Sequence, residues 1–430
     1  MRRIGNAVDT ITAFLGAAVA GVSLLLPITF TWTGQTTQYR LTSLINSVPR
    51  GAAIGVIVAV AVAVLVTTFT RPVTAWATAL GGALGMFVNH FAGRHVSSPD
   101  MLTTQNYLDS VCAGILLGAL GAAVLRRPGL AIGFTLGGAG SFVAGNLADA
   151  LHITAQDPLQ ILETPPRWLI AAAVGFLSLS TYHNRSRPMA ERSPRLAVEL
   201  PVTPILAAMV LALVVLMVTE WLNRQYQDAP NVSHAVDIGL AVTATALAAM
   251  AAAMLLPGRD GVGVYLAVSL VPVFTALGYA ARPGWGVVAL LAITAVGLFI
   301  GTRLPSAFIA ITMIAGLAVF AIYNGSSDIN VVDAAGSAGL ALTTGYCCGT
   351  ARPRYAPSGV LAIAALYLPS IITAVELRPD GATKASTPGC TALAIVACSA
   401  VGIAVLYFFR PRGRPPQSDE PAEGETLADI

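Results

Sequence analysis

Long uninterrupted apolar stretches alternate with short polar punctuation along this chain. Ala, Val, Leu, Ile and Gly fill windows of about 20 residues, the length at which a helix rising 1.5 Å per residue crosses a roughly 30 Å hydrocarbon layer. The runs are continuous rather than alternating at every second position. That selects helices, which satisfy their backbone polar groups internally, over a β-barrel. Spanning helices are predicted near 12–31, 51–70, 74–93, 106–125, 129–150, 167–183, 203–222, 236–256, 261–281, 285–301, 305–323, 331–350, 358–377 and 391–409. The segments at 167–183 and 285–301 are short, so the count is about 12 to 14. The expected fold is all-α, a polytopic transmembrane helix bundle.

The punctuation differs between alternate loops. Arg71-Pro72, Arg126-Arg127-Pro128, Gly258-Arg259, Thr302-Arg303 and Arg352-Pro353-Arg354 mark one side, and longer acid-containing loops mark the other. With the N-terminus inside, about 16 of the 24 Lys and Arg residues fall on the cytoplasmic side, as the positive-inside rule requires. Both termini are therefore expected in the cytoplasm. The basic residues are Arg except for Lys384, and Ala, Gly and Val dominate, a composition that points to the cytoplasmic (inner) membrane of a GC-rich bacterium. The first apolar run follows Arg2-Arg3, but Pro27-Ile28-Thr29-Phe30 offers no small-residue cleavage site, so this segment reads as a retained helix.

Composition agrees with the pattern and removes several functions. The chain is 55% hydrophobic and 10% charged, with a mean hydropathy of +0.73; soluble globular proteins carry about 25% charged residues. The net charge of +3 is scattered over many loops, so no nucleic-acid face is expected. Five cysteines without CxxC spacing predict neither a metal site nor a disulfide framework. Cys112 and Cys390, both nearer the outside, are the pair that could meet, whereas Cys347 and Cys348 lie at an inner helix end, where thiols stay reduced. There is no GxxxxGK[ST] loop, hence no nucleotide hydrolysis by that route, and no cofactor is expected. The stretch 32–50 holds no acid, unlike the first outer loop expected of an enzyme using lipid-linked sugars.

A basic connecting loop at 184–204, with Arg185, Arg187, Arg192 and Arg195, divides a first membrane bundle (1–183, about six helices) from a second (205–409, about eight). The tail at 410–430 begins with Arg410, Arg412 and Arg414, turns acidic and Pro-rich, and reads as disordered. Leu80-Gly81-Gly82-Ala83 and Leu136-Gly137-Gly138-Ala139 suggest repeated helical hairpins. Gly81 and Gly85 on one helix, and Gly133, Gly137 and Ser141 on another, recur every four residues and predict close helix packing. Arg71-Pro72-Val73-Thr74 does not reproduce the acidic-basic loop pattern of the major facilitator superfamily, so helix count alone does not assign that family.

No Asp, Glu, Lys or Arg falls near the middle of a predicted span, which argues against a proton antiporter built on a midplane acid. Ionisable groups gather instead at the outer boundary, with His90, His95, His152 and His234 near acids and amides. Asn89, His90, Asp109, Asn146, Asp149, Asp237 and Asp333 are therefore the candidates for the outer end of a substrate path. A structural reading competes with this one, since Asp109, Asp237 and Asp333 would stand near helix N-termini, where negative charge is favourable. No HxH or HExxH spacing supports a metal site. Trp32, Trp168, Trp221 and Trp285 at outer boundaries, and Trp76 at an inner one, fit an interfacial belt, while Pro272 and Pro369 predict kinks inside spans.

No catalytic constellation emerges, so an enzyme is not the expectation. The leading reading is a multi-pass transporter or lipid-flippase-like protein for a small or amphipathic solute, without an ATPase of its own. The alternative is a non-catalytic membrane subunit of a multiprotein secretion or cell-envelope assembly. In either case the partners are the lipid bilayer and a membrane or cytosolic protein docking through the 184–204 loop or the C-terminal tail.

Overall fold

A computed structural model describes residues 2–25, 38–68, 72–92, 99–145, 165–185, 202–228, 234–277, 284–324, 330–376 and 387–410. These residues are helical almost throughout and hold no strand. Most of the basic loop and the tail beyond Arg410 lie outside them, as do Trp32, Asn146, Asp149, His95 and His152.

The helices are α1 (Arg2–Leu24), α2 (Gln38–Thr68), α3 (Pro72–Ala92), α4 (Pro99–Val124), α5 (Pro128–Ala144), α6 (Arg167–Asn184), α7 (Thr203–Asp228) and α8 (Ala235–Leu255). They continue as α9 (Val262–Ala276), α10 (Gly284–Arg303), α11 (Ala307–Asn324), α12 (Asn330–Ala351), α13 (Ala356–Ala364), α14 (Ile371–Glu376) and α15 (Thr387–Phe409). Each predicted span is met by a helix, the one at 358–377 by α13 and α14 together. Among the described residues eight segments are long and apolar enough to cross a membrane, and α5, α9 and α11 are shorter apolar helices.

Arg-Pro punctuation has a local cause. A residue before proline is pushed to extended backbone, and proline at the first helical position has a preset φ and no N–H to waste. Arg127 is accordingly extended (φ −116°, ψ 112°) and Pro128 opens α5. Helices also run past their apolar windows: α1 begins at Arg2, α2 at Gln38 with Pro49 inside it, and α4 at Pro99. Pro369 breaks its span outright. A 3-10 turn at Ala365–Tyr367 leads to extended Leu368 (φ −65°, ψ 148°), and α14 restarts after Ser370, whose Oγ accepts the Ile372 N–H at 3.2 Å. Pro272, by contrast, sits within a continuous α9.

Packing repeats at the level of six spans. In the first unit α1 pairs with α5, α2 with α4 and α3 with α6; in the second, α9 lies against the broken span, α10 against α12 and α11 against α15. The units meet where α2 touches α13 and α5 touches α10, two contacts that interchange when the units are exchanged. The α7–α8 hairpin packs on α2 through α7 and on α15 through α8. The Leu-Gly-Gly-Ala segments fall at non-equivalent places in this scheme: Gly82 of α3 faces the Cys112 carbonyl of α4, and Gly137 of α5 faces the Phe14 carbonyl of α1.

Small residues set the interhelix distance. A Cβ at Gly118 would strike the Ala59 carbonyl between α4 and α2, and one at Gly345 would strike the Thr294 carbonyl between α12 and α10. Large apolar side chains point outward instead, among them Met217, Phe299, Val401 and Phe408, as a lipid-facing surface requires. Trp168 (65% exposed) and Trp285 (76%) stand at the N-terminal ends of α6 and α10, but Trp76 is 1% exposed and belongs to the core, not to an interfacial belt. The apolar window of the broken span is 83% buried and that of α10 only 28%. The discontinuous helix is therefore the centre of the molecule.

Candidate functional site

The two ends of the bundle carry different chemistry. At one end, Arg side chains close helix C-termini: Arg410 donates to the Met254 and Gly258 carbonyls (2.7 and 2.6 Å) and to that of Leu256, and Arg352 donates to the Thr302 carbonyl. A cation satisfies those orphan acceptors and complements the helix dipole. Arg259 lies over the Tyr407 ring at 4.1 Å and donates to the Arg410 carbonyl at 2.7 Å. Beside it, buried Asp260 accepts the backbone N–H groups of Arg354 and Tyr355, both at 3.0 Å, tying the loop before α9 to the loop before α13. Burial pushes its carboxyl above the ordinary value, against the lowering effect of those two N–H donors.

At the opposite end of the first unit lies a buried polar cluster. His90 Nε2 of α3 stands 3.1 Å from Asp109 Oδ2 of α4, and both residues are under 9% exposed. Their alignment falls short of a hydrogen bond, and Asp109 Oδ1 is buried without a hydrogen-bond partner. Asn89 Nδ2 donates to the Gln105 carbonyl (3.1 Å), and Asn106 Nδ2 donates to Ser47 Oγ of α2 (3.1 Å). Arg50 of α2 grips Glu220 of α7 with both nitrogens, at 2.6 and 3.0 Å.

The structure thus brings three sequence candidates together, Asn89, His90 and Asp109. It places them between α2, α3 and α4, inside the first unit and away from the seam between units. Asp109 is not an N-terminal cap: α4 begins ten residues earlier, about 15 Å along its axis. Asp237 is in the first turn of α8 and meets His234 Nδ1 at 2.9 Å, with the His234 ring 4.3 Å from that of Tyr226, so this acid stitches the α7–α8 turn. Asp333 is exposed in the first turn of α12. Of the packing glycines, Gly85 faces Cys112 Sγ, while Gly133 and Gly137 face the Thr10 and Phe14 carbonyls. Gly81 faces open space, because the α3 face that meets α4 passes through its neighbour Gly82. Cys112 and Cys390 are free thiols, one buried and one exposed. Among the described residues no His, Cys, Asp and Glu group could hold a metal ion.

Two buried features escaped the sequence reading. Asp9 of α1 is fully buried and receives both Asn184 Nδ2 contacts at 3.2 Å, while Thr12 Oγ1 meets Ser180 Oγ at 2.8 Å. The signal was present as Gly5, Asp9, Thr12 and Gly16, a small and polar stripe at helical spacing, but it began before the apolar window. The second feature joins the units. Tyr367 Oη donates to the Gly138 carbonyl at 2.7 Å and lies 2.9 Å from Ser141 Oγ, with Gly21 of α1 leaving room for both hydroxyls.

Next to this bridge, toward the Arg-marked end, a cleft of ≈ 40 Å³ lies between the units. Leu125 and Thr135 line it from the first unit, and α9, α12 and α13 line it from the second, with Cys347 and Cys348 among the lining residues. By the roughly 10–15 Å³ that one water needs, it holds about three waters. This arrangement can close a path between two helical units but offers no acid-base pair to substrate chemistry.

No protein-family model matches the chain, and no curated protein matches it in sequence. Solved structures do resemble it. The xylose transporter XylE from E. coli, in a partially occluded inward open conformation, matches 94% of this chain and 99% of its own with a TM-score of 0.54 at 12% identity. A D-xylose-proton symporter matches 94% of this chain and 97% of its own, with a TM-score of 0.51 at 14% identity. A bacterial homologue of the human drug peptide transporters PepT1 and PepT2 matches the same shares with a TM-score of 0.50 at 15% identity. At such identities the likeness is one of fold. The chain is a multi-pass helical membrane protein whose bundle has the fold of these transporters.

Proposed function

We propose that this protein is a transporter of a small neutral or amphipathic solute, working by alternating exposure of the seam between its two units and without an ATPase of its own. One observation carries the reading: two six-span units with the same pairing order meet along interchangeable contacts, with a broken helix and a cleft at their junction. Two equivalent ways of closing such a seam are what alternating access requires, and a discontinuous helix at the junction is a frequent feature of transporter paths. The shared fold with xylose and peptide transporters supports the same reading.

On this reading the Arg-marked end faces the cytoplasm of a bacterial cell and both termini are cytoplasmic, in line with the excess of basic residues there. The cleft then opens inward, Tyr367 closes it from the outer side, and the 184–204 loop and C-terminal tail are the docking elements for a protein partner. Asn89, His90 and Asp109 hold the outer end of the first unit together, beside the path.

A single cysteine at Ser141, in a background lacking the native cysteines, tests the proposal with a membrane-impermeant maleimide applied to oriented vesicles. Labelling from each side in separate experiments is expected. Labelling from neither side identifies a static scaffold, as a non-catalytic assembly subunit would be.

A further inference from the structure

The cleft between the units has a chemistry that narrows the solute, given the transport reading on which this inference rests. Its lining carries no Asp, Glu, Lys, Arg, His, Asn or Gln. Thr135 supplies its one side-chain hydroxyl and Cys347 and Cys348 its thiols, against apolar walls from Leu266, Leu270 and Ile363. Gly263 packs closely on Ala362, and Gly359 on Leu125 and Pro353, so the surface offered is hydrocarbon and backbone. A solute entering this space loses its water, and each buried hydroxyl or charge it carries then needs a partner. A sugar brings several hydroxyls and a peptide brings two charged termini; the lining can satisfy neither.

We infer that the cleft binds an uncharged, predominantly apolar molecule with at most one hydroxyl, held by α9, α12 and α13 and anchored at Thr135. The polar side chains that could serve a sugar are elsewhere. Asn89, Asn106 and Ser47 are occupied within the first unit, and Asp260 and Asn184 are spent on contacts at the Arg-marked end. The substrate class of this chain therefore departs from those of the xylose and peptide transporters whose fold it shares.

Cys348 reports on the cleft, because it lines it and is only half-buried. The protein with Cys112, Cys390 and Cys398 replaced by Ala is placed in lipid nanodiscs and treated with uncharged methyl methanethiosulfonate or with cationic or anionic methanethiosulfonates, and adducts are read by intact mass. The neutral reagent is expected to modify the protein at least tenfold faster than either charged one, and phenol, close in size to the cleft, to slow it severalfold while D-xylose and dialanine do not. Thr135→Val should weaken protection by phenol more than protection by benzene, and Leu270→Asp should abolish both. Protection by D-xylose or dialanine, equal rates for charged reagents, or no modification at all would overturn the inference. These measurements need no flux, so they stand even if the Ser141 labelling shows that the units do not alternate.

Discussion

The two six-span units share a pairing scheme and differ in what they bury. The first buries Asp9, Asn89, His90, Asn106, Asp109 and Asn184 within its helices; the second, among the described residues, buries Ser, Thr, Tyr and Cys there and keeps its buried carboxylate, Asp260, in a loop. The first unit is latched by amides and carboxylates whose partners lie on neighbouring helices of the same unit. Glycine-mediated backbone contact holds both units, and the second carries the helix break and most of the cleft wall. The contrast separates a rigid frame from a deformable wall. Polar networks with several partners fix one arrangement, whereas a span broken at extended Leu368 has no continuous hydrogen-bond ladder across the break.

Breaking a latch should cost more than loosening the wall. His90→Leu removes the polar group 3.1 Å from the buried Asp109 carboxylate and should destabilise the protein by about 3 kcal/mol. The double change His90→Leu with Asp109→Leu should recover part of that loss. Thermal unfolding in nanodiscs measures both, and equal loss in single and double variants would show that the pair contributes no coupling. Gly118→Ala and Gly345→Ala test the shared scaffold. Each places a methyl group on a backbone carbonyl of the facing helix, so both should cost about 1–3 kcal/mol. A neutral result in one unit only would break the equivalence between units.

Tyr367→Phe removes a hydroxyl that bridges the units. A loss of about 1–2 kcal/mol is expected, for two hydrogen bonds of ordinary strength, together with faster Cys348 modification as the cleft opens. Unchanged modification would place the closure of the cleft elsewhere. The smallest effect is the pH response of Asp260. Burial raises its folded-state value above the ordinary 3.8, so the folded protein holds this proton more tightly than the unfolded chain does. Its contribution to stability is full below about pH 3.8 and is lost as pH rises through the raised value. The stability difference between the wild type and Asp260→Asn should therefore shift in favour of the wild type on acidification from neutral pH. A difference that does not vary with pH would contradict the assignment.

Much of the fold was legible because hydrophobic length is a one-dimensional property. Every predicted span has its helix, and Pro369 announced the break that lies at the centre of the molecule. The site was less legible. Asp109 read as a helix cap because α4 starts in polar sequence that hydropathy does not register, and Asp9 fell outside its window for the same reason. Gly81 and Gly82 are adjacent in a shared motif, and only the facing helix decides which of them makes the contact. The Tyr367 bridge joins residues 226 and 229 positions apart, a separation that no local pattern encodes. The missing loop signature at Arg71–Thr74 said nothing about the fold, which resembles that of known transporters without it.

Relative motion of the two units is the central claim, and pulsed electron paramagnetic resonance tests it directly. Spin labels at Arg126 and Leu304, exposed at the Arg-marked ends of α4 and α10, report the separation of the units across the cleft. In nanodiscs two distance populations are expected, with the longer one enriched by Tyr367→Phe. A single narrow distribution, unchanged by that substitution and by phenol, would contradict it.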